Sequence, residues 1–296
     1  MSDMRSGDIL IFEAGDDWIG KSIAKLTNSN VSHAAMCCTD ATMVEMGLHG
    51  IAVSTCREAT EGAKAYLLRL DPERDPAPLL AAAKRYVDQN TKYDFPDLIL
   101  FAGLLIYRAV RPTPRWQKIT DYILELACAE ADKLLNKLIS KGGEPVMVCS
   151  QLVYQIYQDC GAEYRIVLKN GLLQADLAPV PGTICLADLA QDEAAPDRSL
   201  AAAPSLPEAE VDPESLAQEL YEALDEAEAS VEEDLLDTGV LTGTLDKAAR
   251  FLDLVESILE RAGVELPVRS LFVAPSDLLE HAENLKAYGT AYIVRK

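Results

Sequence analysis

The chain has 296 residues, 49% of them hydrophobic, which is enough to build one large domain or two small ones. Its formal net charge of −21 excludes the basic surface that nucleic-acid-binding domains present, so no nucleic-acid partner is expected. Most of this charge lies late in the chain, because residues 1–185 carry a net charge of −4 and residues 186–296 a net charge of −17.

The sequence begins with the polar stretch MSDMRSGDIL, which lacks the apolar run typical of a signal peptide. Seven cysteines cannot all pair within one chain, so free thiols in a reducing compartment are expected. The longest apolar run, 98–107, is too short to cross a membrane and predicts a buried helix. We therefore expect no transmembrane segment and a cytoplasmic protein, or one exported by a signal-independent secretion route.

The first part of the chain has the apolar, β-branched segments and turn signals of a sheet. Strands are predicted at 7–13, 31–38, 41–46, 51–55 and 66–70. Helices are predicted at 18–26, 76–89, 98–107, 116–140 and 149–160, where apolar residues recur at helical spacing.

The later part of the chain changes composition. Residues 190–213 are rich in Ala, Pro and acidic residues, as linkers are. Two helices are predicted next, at 213–236 and 245–262. The first is so acidic that it stays helical only if its leucines are buried, so we expect the two to pair as a hairpin. A short helix with Ser276 as its N-cap and a last strand at 291–294 are predicted to follow.

Only three histidines are available as an imidazole base. His49 lies in a predicted turn between glycines, and His281 lies in a polar helix. His33 opens a strand directly after a polar loop, where the strand ladder fixes its position. His33 is therefore the predicted base.

Cys149 differs from the other cysteines because an apolar strand-like run becomes an amphipathic helix at this residue. The helix dipole and the free N–H groups of the first turn stabilise a thiolate, lowering its pKa from about 8.5 towards roughly 3.5–7.5. The same N–H groups can hold an oxyanion. A buried cysteine that only fills the core would fit the same pattern, so the residues alone leave both interpretations open.

Glu45 interrupts an apolar strand, so it either faces solvent or is buried with a partner. The register between the strands 31–38 and 41–46 decides which. If the numbers of paired residues sum to an even value, Glu45 and His33 share a face, whereas a sum of 79 would put them on opposite faces. On a shared face, Glu45 would fix the tautomer of the imidazole.

Five elements in order resemble the circularly permuted branch of the NlpC-like, papain-like superfamily, the YiiX-like group. They are GDILIFE, TNSNVSHAAMC, MVEMG, TKYDF and VCSQLVYQIYQDCG, and a later APSDL resembles the P-x-D-L element of the group. The resemblance implies an α+β fold with a permuted papain-like core, an antiparallel sheet with packed helices. The order His, Glu, Cys reverses that of ordinary papain-like enzymes, as permutation implies.

The resemblance assigns the nucleophile to Cys149, the base to His33 and the residue that orients the base to Glu45. It implies an acyl-enzyme on Cys149, formed by attack on an amide bond in a cell-wall-type peptide. One alternative is a lipid acyl-ester hydrolase or acyltransferase with the same triad. Another is a catalytically idle binding module recruited through the acidic segment. No metal ion and no cofactor are expected.

Three further residues are candidate substrate contacts. Tyr93 matches the Tyr-Asp element of the group, where it would line the substrate groove. Trp18 lies upstream of the histidine strand and would either contact substrate or pack in the core. Ser150 would either help to hold the oxyanion or cap the helix.

The predicted domains are a catalytic core over 1–186, an acidic helical insertion with an Ala/Pro-rich linker over 187–268, and a C-terminal return to the core over 269–296. The insertion is interpreted as a solvated decoration or as a docking site for a basic protein partner.

Overall fold

The computed structural model describes residues 4–47, 50–56, 64–89, 114–141, 148–168, eight positions between 215 and 225, 242–261 and 273–292. The fold is α+β, with an antiparallel sheet and several helices. The chain divides into two compact units. The first comprises Met1–Asp97, Glu144–Ala175 and Leu271–Lys296, and the second comprises Leu98–Gly143 and Asp176–Ser270. The core predicted over 1–186 included 98–143, which falls in the second unit.

The first unit contains six strands and four helices among the residues described. The strands are β1 (Ile9–Glu13), β2 (Val31–Cys37), β3 (Thr42–Gly47), β4 (Gly50–Thr55), β5 (Lys64–Leu70) and β6 (Leu285–Tyr292). The helices are α1 (Trp18–Leu26), α2 (Ala77–Asp88), α4 (Cys149–Gln158) and α6 (Pro275–Glu280). The second unit contributes α3 (Pro114–Lys141) and α5 (Thr242–Arg261).

The six strands form one sheet in the order β4-β3-β2-β1-β5-β6, with every neighbouring pair antiparallel. β1 lies inside this order, and its continuous apolar run is explained by burial on both faces. Ile9 and Ile11 belong to one apolar cluster, and the alternating Leu10 and Phe12 belong to another.

Helix α4 packs against the cluster that contains Ile9 and Ile11. Its buried residues have the spacing that the sequence predicted for one helix face, and they are Leu152, Val153, Ile156 and Tyr157. The Tyr157 hydroxyl donates to the carbonyl of Gly7, just before β1. This hydrogen bond ties α4 to the start of the sheet's inner strand.

The end of the chain returns to the sheet, because β6 pairs with β5 from Leu70↔Leu285 to Lys64↔Tyr292. The strand predicted at 291–294 was placed too late. The residues that begin β6 are largely exposed, so they lack the apolar run of a buried strand. Ser276 was also wrong as an N-cap: the cap is Ala274, whose N–H donates to the Asp277 carboxylate at 2.9 Å.

In the second unit, α5 packs against α3. Phe251 and Leu254 of α5 are fully buried, as are Leu124 and Ala127 of α3. The sequence predicted 213–236 as the partner of this helix, and that segment is described at only eight positions.

Ion pairs flank the apolar contact between α3 and α5. Lys247 Nζ lies 2.6 Å from Glu125, and Arg250 Nη2 lies 2.8 Å from Asp132. Two of the few basic residues of the acidic region therefore neutralise carboxylates on α3. The buried apolar faces and these pairs together offset the repulsion expected from the excess of acidic residues.

Within the described part of the chain, no helix combines the length and the apolar character needed to span a membrane. The predicted helix at 98–107 lies outside the described residues.

Candidate active site

Cys149 is the first residue of α4, and the N-cap Val148 offers no side-chain hydrogen bond to the first turn. The first-turn N–H groups are therefore not taken up by a capping side chain. The backbone N–H groups of Ala34 and Ser150 donate to the Cys149 sulfur. The side chain is buried, with 8% of its surface exposed. The sulfur thus lies in a small cradle of backbone donors.

His33 and Glu45 lie on neighbouring strands and share a face. The register pairs Ala35 with Glu45 and Met36 with Val44, so the paired numbers sum to 80 and the even register is confirmed. His33 precedes Ala35 by two residues and so points to the side of Glu45. The Nε2 atom of His33 lies 2.8 Å from Oε2 of Glu45.

The Cys149 thiol is hydrogen-bonded to the imidazole of His33. Because Glu45 binds Nε2, the nitrogen left for the sulfur is Nδ1. The three side chains therefore form one hydrogen-bonded chain from thiol to carboxylate. It joins residues from α4, β2 and β3, which pack together in the first unit.

The surroundings of this chain favour its charged form. Burial alone would lower the pKa of His33, but the charges and hydrogen bonds of Cys149 and Glu45 outweigh burial and raise it to about 10. Burial alone would raise the pKa of Cys149, but the His33 charge and the hydrogen bonds to the sulfur outweigh burial and hold it below the usual value. Both shifts favour a thiolate beside an imidazolium.

Glu45 remains ionised for a similar reason. Burial alone would raise the pKa of its carboxyl group, but hydrogen bonds from His33 and Ser54 and the charge of His33 hold the pKa below its usual value. The Ser54 hydroxyl on β4 donates to Oε1, the oxygen that His33 does not use. Ser54 was not among the predicted site residues. The register of the β3–β4 hairpin, which pairs Met43 with Ser54 and Glu45 with Ala52, would have placed it on the face of Glu45.

Two of the three predicted substrate contacts, Trp18 and Ser150, belong to the described residues. Trp18 is half-buried at the start of α1, with Lys21 Nζ 4.7 Å from its ring centroid. Ser150 is buried, and its hydroxyl donates to the Val273 carbonyl, so it ties α4 to the segment before α6. Its backbone N–H is the group that faces the Cys149 sulfur. Tyr93 lies outside the described residues.

No histidine is among the causes that shift the pKa values of the other described thiols. Burial raises the pKa of Cys128 to about 11 and also raises that of Cys160. Cys37 and Cys56 share a hydrogen bond, which raises the pKa of Cys37 and lowers that of Cys56. Among the described cysteines, Cys149 alone combines a lowered pKa with a bond to a histidine.

Among the described residues, the His, Cys, Asp and Glu side chains form no group of three or more that could hold a metal ion.

No family model and no curated protein sequence match the chain. Among solved structures, it is similar to the crystal structure of the metalloprotein YiiX from Escherichia coli O157:H7. The similarity covers 97% of this chain and 98% of that chain, with 14% sequence identity and a TM-score of 0.42. A likeness at this level does not determine the chemistry of the present chain.

Proposed function

We propose that the protein is a cysteine-dependent hydrolase that forms an acyl-enzyme on Cys149. The observation that carries the proposal is the hydrogen-bonded chain Cys149–His33–Glu45, in which the thiol lies at a helix N-terminus. A nucleophile, a base and a residue that orients the base are the three parts that acyl transfer by a thiol requires.

In the first step the Cys149 thiolate attacks the carbonyl carbon, forming a C–S bond while the carbonyl electrons move to oxygen. The N–H groups at the first turn of α4 are the donors placed to stabilise this oxyanion. The His33 imidazolium then gives its proton to the leaving nitrogen, and the C–N bond breaks. His33 leaves this step as neutral imidazole, held by Glu45.

In the second step neutral His33 takes a proton from water, and the resulting hydroxide attacks the acyl carbon. The C–S bond then breaks, which releases a carboxylic acid and restores the thiolate beside imidazolium. Glu45 remains ionised throughout, which stabilises His33 whenever it is charged.

The substrate that we propose is an amide bond in a cell-wall-type peptide, which is what the sequence resemblance implies. An acyl ester of a lipid would pass through the same steps with an alcohol as leaving group. The predicted apolar helix at 98–107, on which an acyl-chain slot would depend, lies outside the described residues, so no described contact favours the ester.

Intact-mass spectrometry tests the proposal. The protein is mixed in parallel with peptidoglycan fragments and with phospholipid vesicles, and quenched at short times. We expect an acyl adduct on Cys149 with the fragments, and no adduct in Cys149→Ala. Cys160→Ala is the matched control, since this half-buried thiol just after the C-terminal end of α4 should be dispensable. Turnover that persists in Cys149→Ala would contradict the proposal, and an adduct from vesicles alone would replace the amide by an ester.

A further inference from the structure

Ser54 holds the oxygen of Glu45 that His33 does not use. It lies on β4, which is an edge strand of the sheet, opposite Met43 of β3. Glu45 thus receives a hydrogen bond from β2 on one oxygen and from β4 on the other. The carboxylate is fixed at two points by strands on both sides of its own.

The second bond matters because the last torsion of a glutamate side chain is soft. Rotation about that torsion has broad minima, so one hydrogen bond alone leaves the plane of the carboxylate poorly defined. The imidazole of His33 is only partly buried, with 29% of its side chain exposed, and the Glu45 side chain is 18% exposed. Solvent can therefore compete for a carboxylate that is free to turn.

A hydroxyl is also suited to this place electrostatically. It donates a hydrogen bond to the carboxylate without adding a positive charge, so the full attraction between Glu45 and His33 is kept. A lysine or arginine here would neutralise the carboxylate and weaken its hold on the imidazolium. The titratable groups that act on His33 are Cys149 from α4 and Glu45 from β3.

We propose that Ser54 is a positioning residue, which holds Glu45 in the plane that binds His33 and so maintains the thiolate of Cys149. The inference deepens the proposed function, since it concerns the same site. No substrate is needed to test it, because both of its readouts belong to the resting protein.

The test compares Ser54→Thr with Ser54→Val, which have nearly the same shape and differ in the hydroxyl. Ser54→Ala is added as the simplest deletion. Val53→Ala is the control for changes to β4, because Val53 is 56% exposed and points to the opposite face. The readouts are the titration of the His33 ring by NMR and the pH profile of Cys149 alkylation by iodoacetamide.

We expect Ser54→Val and Ser54→Ala to lower the pKa of His33 and to slow alkylation near neutral pH by about 10-fold, the size expected for one charge-assisted hydrogen bond. Ser54→Thr and Val53→Ala should resemble the unaltered protein. An unchanged or raised His33 pKa in folded Ser54→Val would overturn the inference. If the Glu45 carboxylate kept its position after the hydroxyl was removed, it would become a stronger base and would hold the His33 proton more tightly. A lack of turnover with every substrate would defeat the proposed function and leave these comparisons valid.

Discussion

The guanidinium of Arg69 holds both carboxylate oxygens of Asp8 in the interior of the first unit, with Nε 2.6 Å from Oδ1 and Nη2 2.8 Å from Oδ2. Their side chains are 7% and 1% exposed. The ring centroid of Tyr288 on β6 lies 4.4 Å from the guanidinium carbon. The pair therefore connects the start of β1 to β5 and β6, at a place where neither charge reaches much solvent.

Asp8→Ala should lower the free energy of unfolding by about 3–5 kcal/mol, because it removes both hydrogen bonds that the buried guanidinium of Arg69 donates to the Asp8 carboxylate. Urea denaturation measures the change. Lys84→Ala is the control, since it removes an exposed pair with Asp88 on α2 and should have little effect. Equal losses in the two variants would mean that the Asp8 pair has no special importance for stability.

Cys149→Ala should abolish turnover and change the free energy of unfolding by no more than about 1 kcal/mol, since only a small side chain is shortened. The pKa of His33 should fall below about 10, because the thiolate that raises it is gone. Thermal unfolding and NMR titration of the imidazole check these outcomes. A large loss of stability would instead support a cysteine that only fills the core.

Glu45→Gln should shift the alkylation profile of Cys149 to higher pH. The carboxylate helps to raise the pKa of His33, so its removal makes the ring lose its proton at lower pH. The thiolate then lacks a positive partner, and its own pKa rises. The alkylation rate should therefore fall most near neutral pH. At alkaline pH it should converge with that of the unaltered protein, because Cys149 is then ionised in both proteins. Iodoacetamide labelling across that range measures it, and superimposable profiles would exclude Glu45 from the site.

Phe251→Ala should destabilise the second unit by about 3–5 kcal/mol, because Phe251 is a fully buried residue of α5 and its removal leaves a cavity. Amide hydrogen exchange should show faster exchange in α3 and α5, with β1, β2 and β3 unchanged, as expected for a chain with two compact units. Asp253→Ala alters an exposed residue of the same helix and is the control. Equally fast exchange in the central strands would show that the units unfold together.

The sheet and the pair His33–Glu45 were predictable because local patterns carry them. Alternation and turn signals located five strands within a few residues, and one parity argument related His33 to Glu45. Cys149 was singled out by a local feature too, the start of an amphipathic helix. Its bond to His33 depends on how α4 packs on β2, which no local pattern specifies.

The misses share a physical cause, since each depends on contacts distant in sequence. β6 begins with exposed residues, so its pairing with β5 left no apolar signal. The packing of α5 on α3, whose ion pairs join residues more than a hundred positions apart, also left no local signal, and the predicted pairing of 213–236 with 245–262 stays a prediction. The acidic insertion therefore stays a prediction. Deleting 190–266, as one would to test it, removes α5 and uncovers the apolar face of α3.

The pairing of β5 with β6 has a consequence for synthesis. The ribosome delivers Lys64–Leu70 more than two hundred residues before Leu285–Tyr292, so a nascent chain carries β5 with one edge unpaired. Such an edge offers free N–H and C=O groups to the strands of other chains. The late strand β6, whose first residues are largely exposed, covers that edge of β5. Chains released before β6 is made should therefore self-associate through β5.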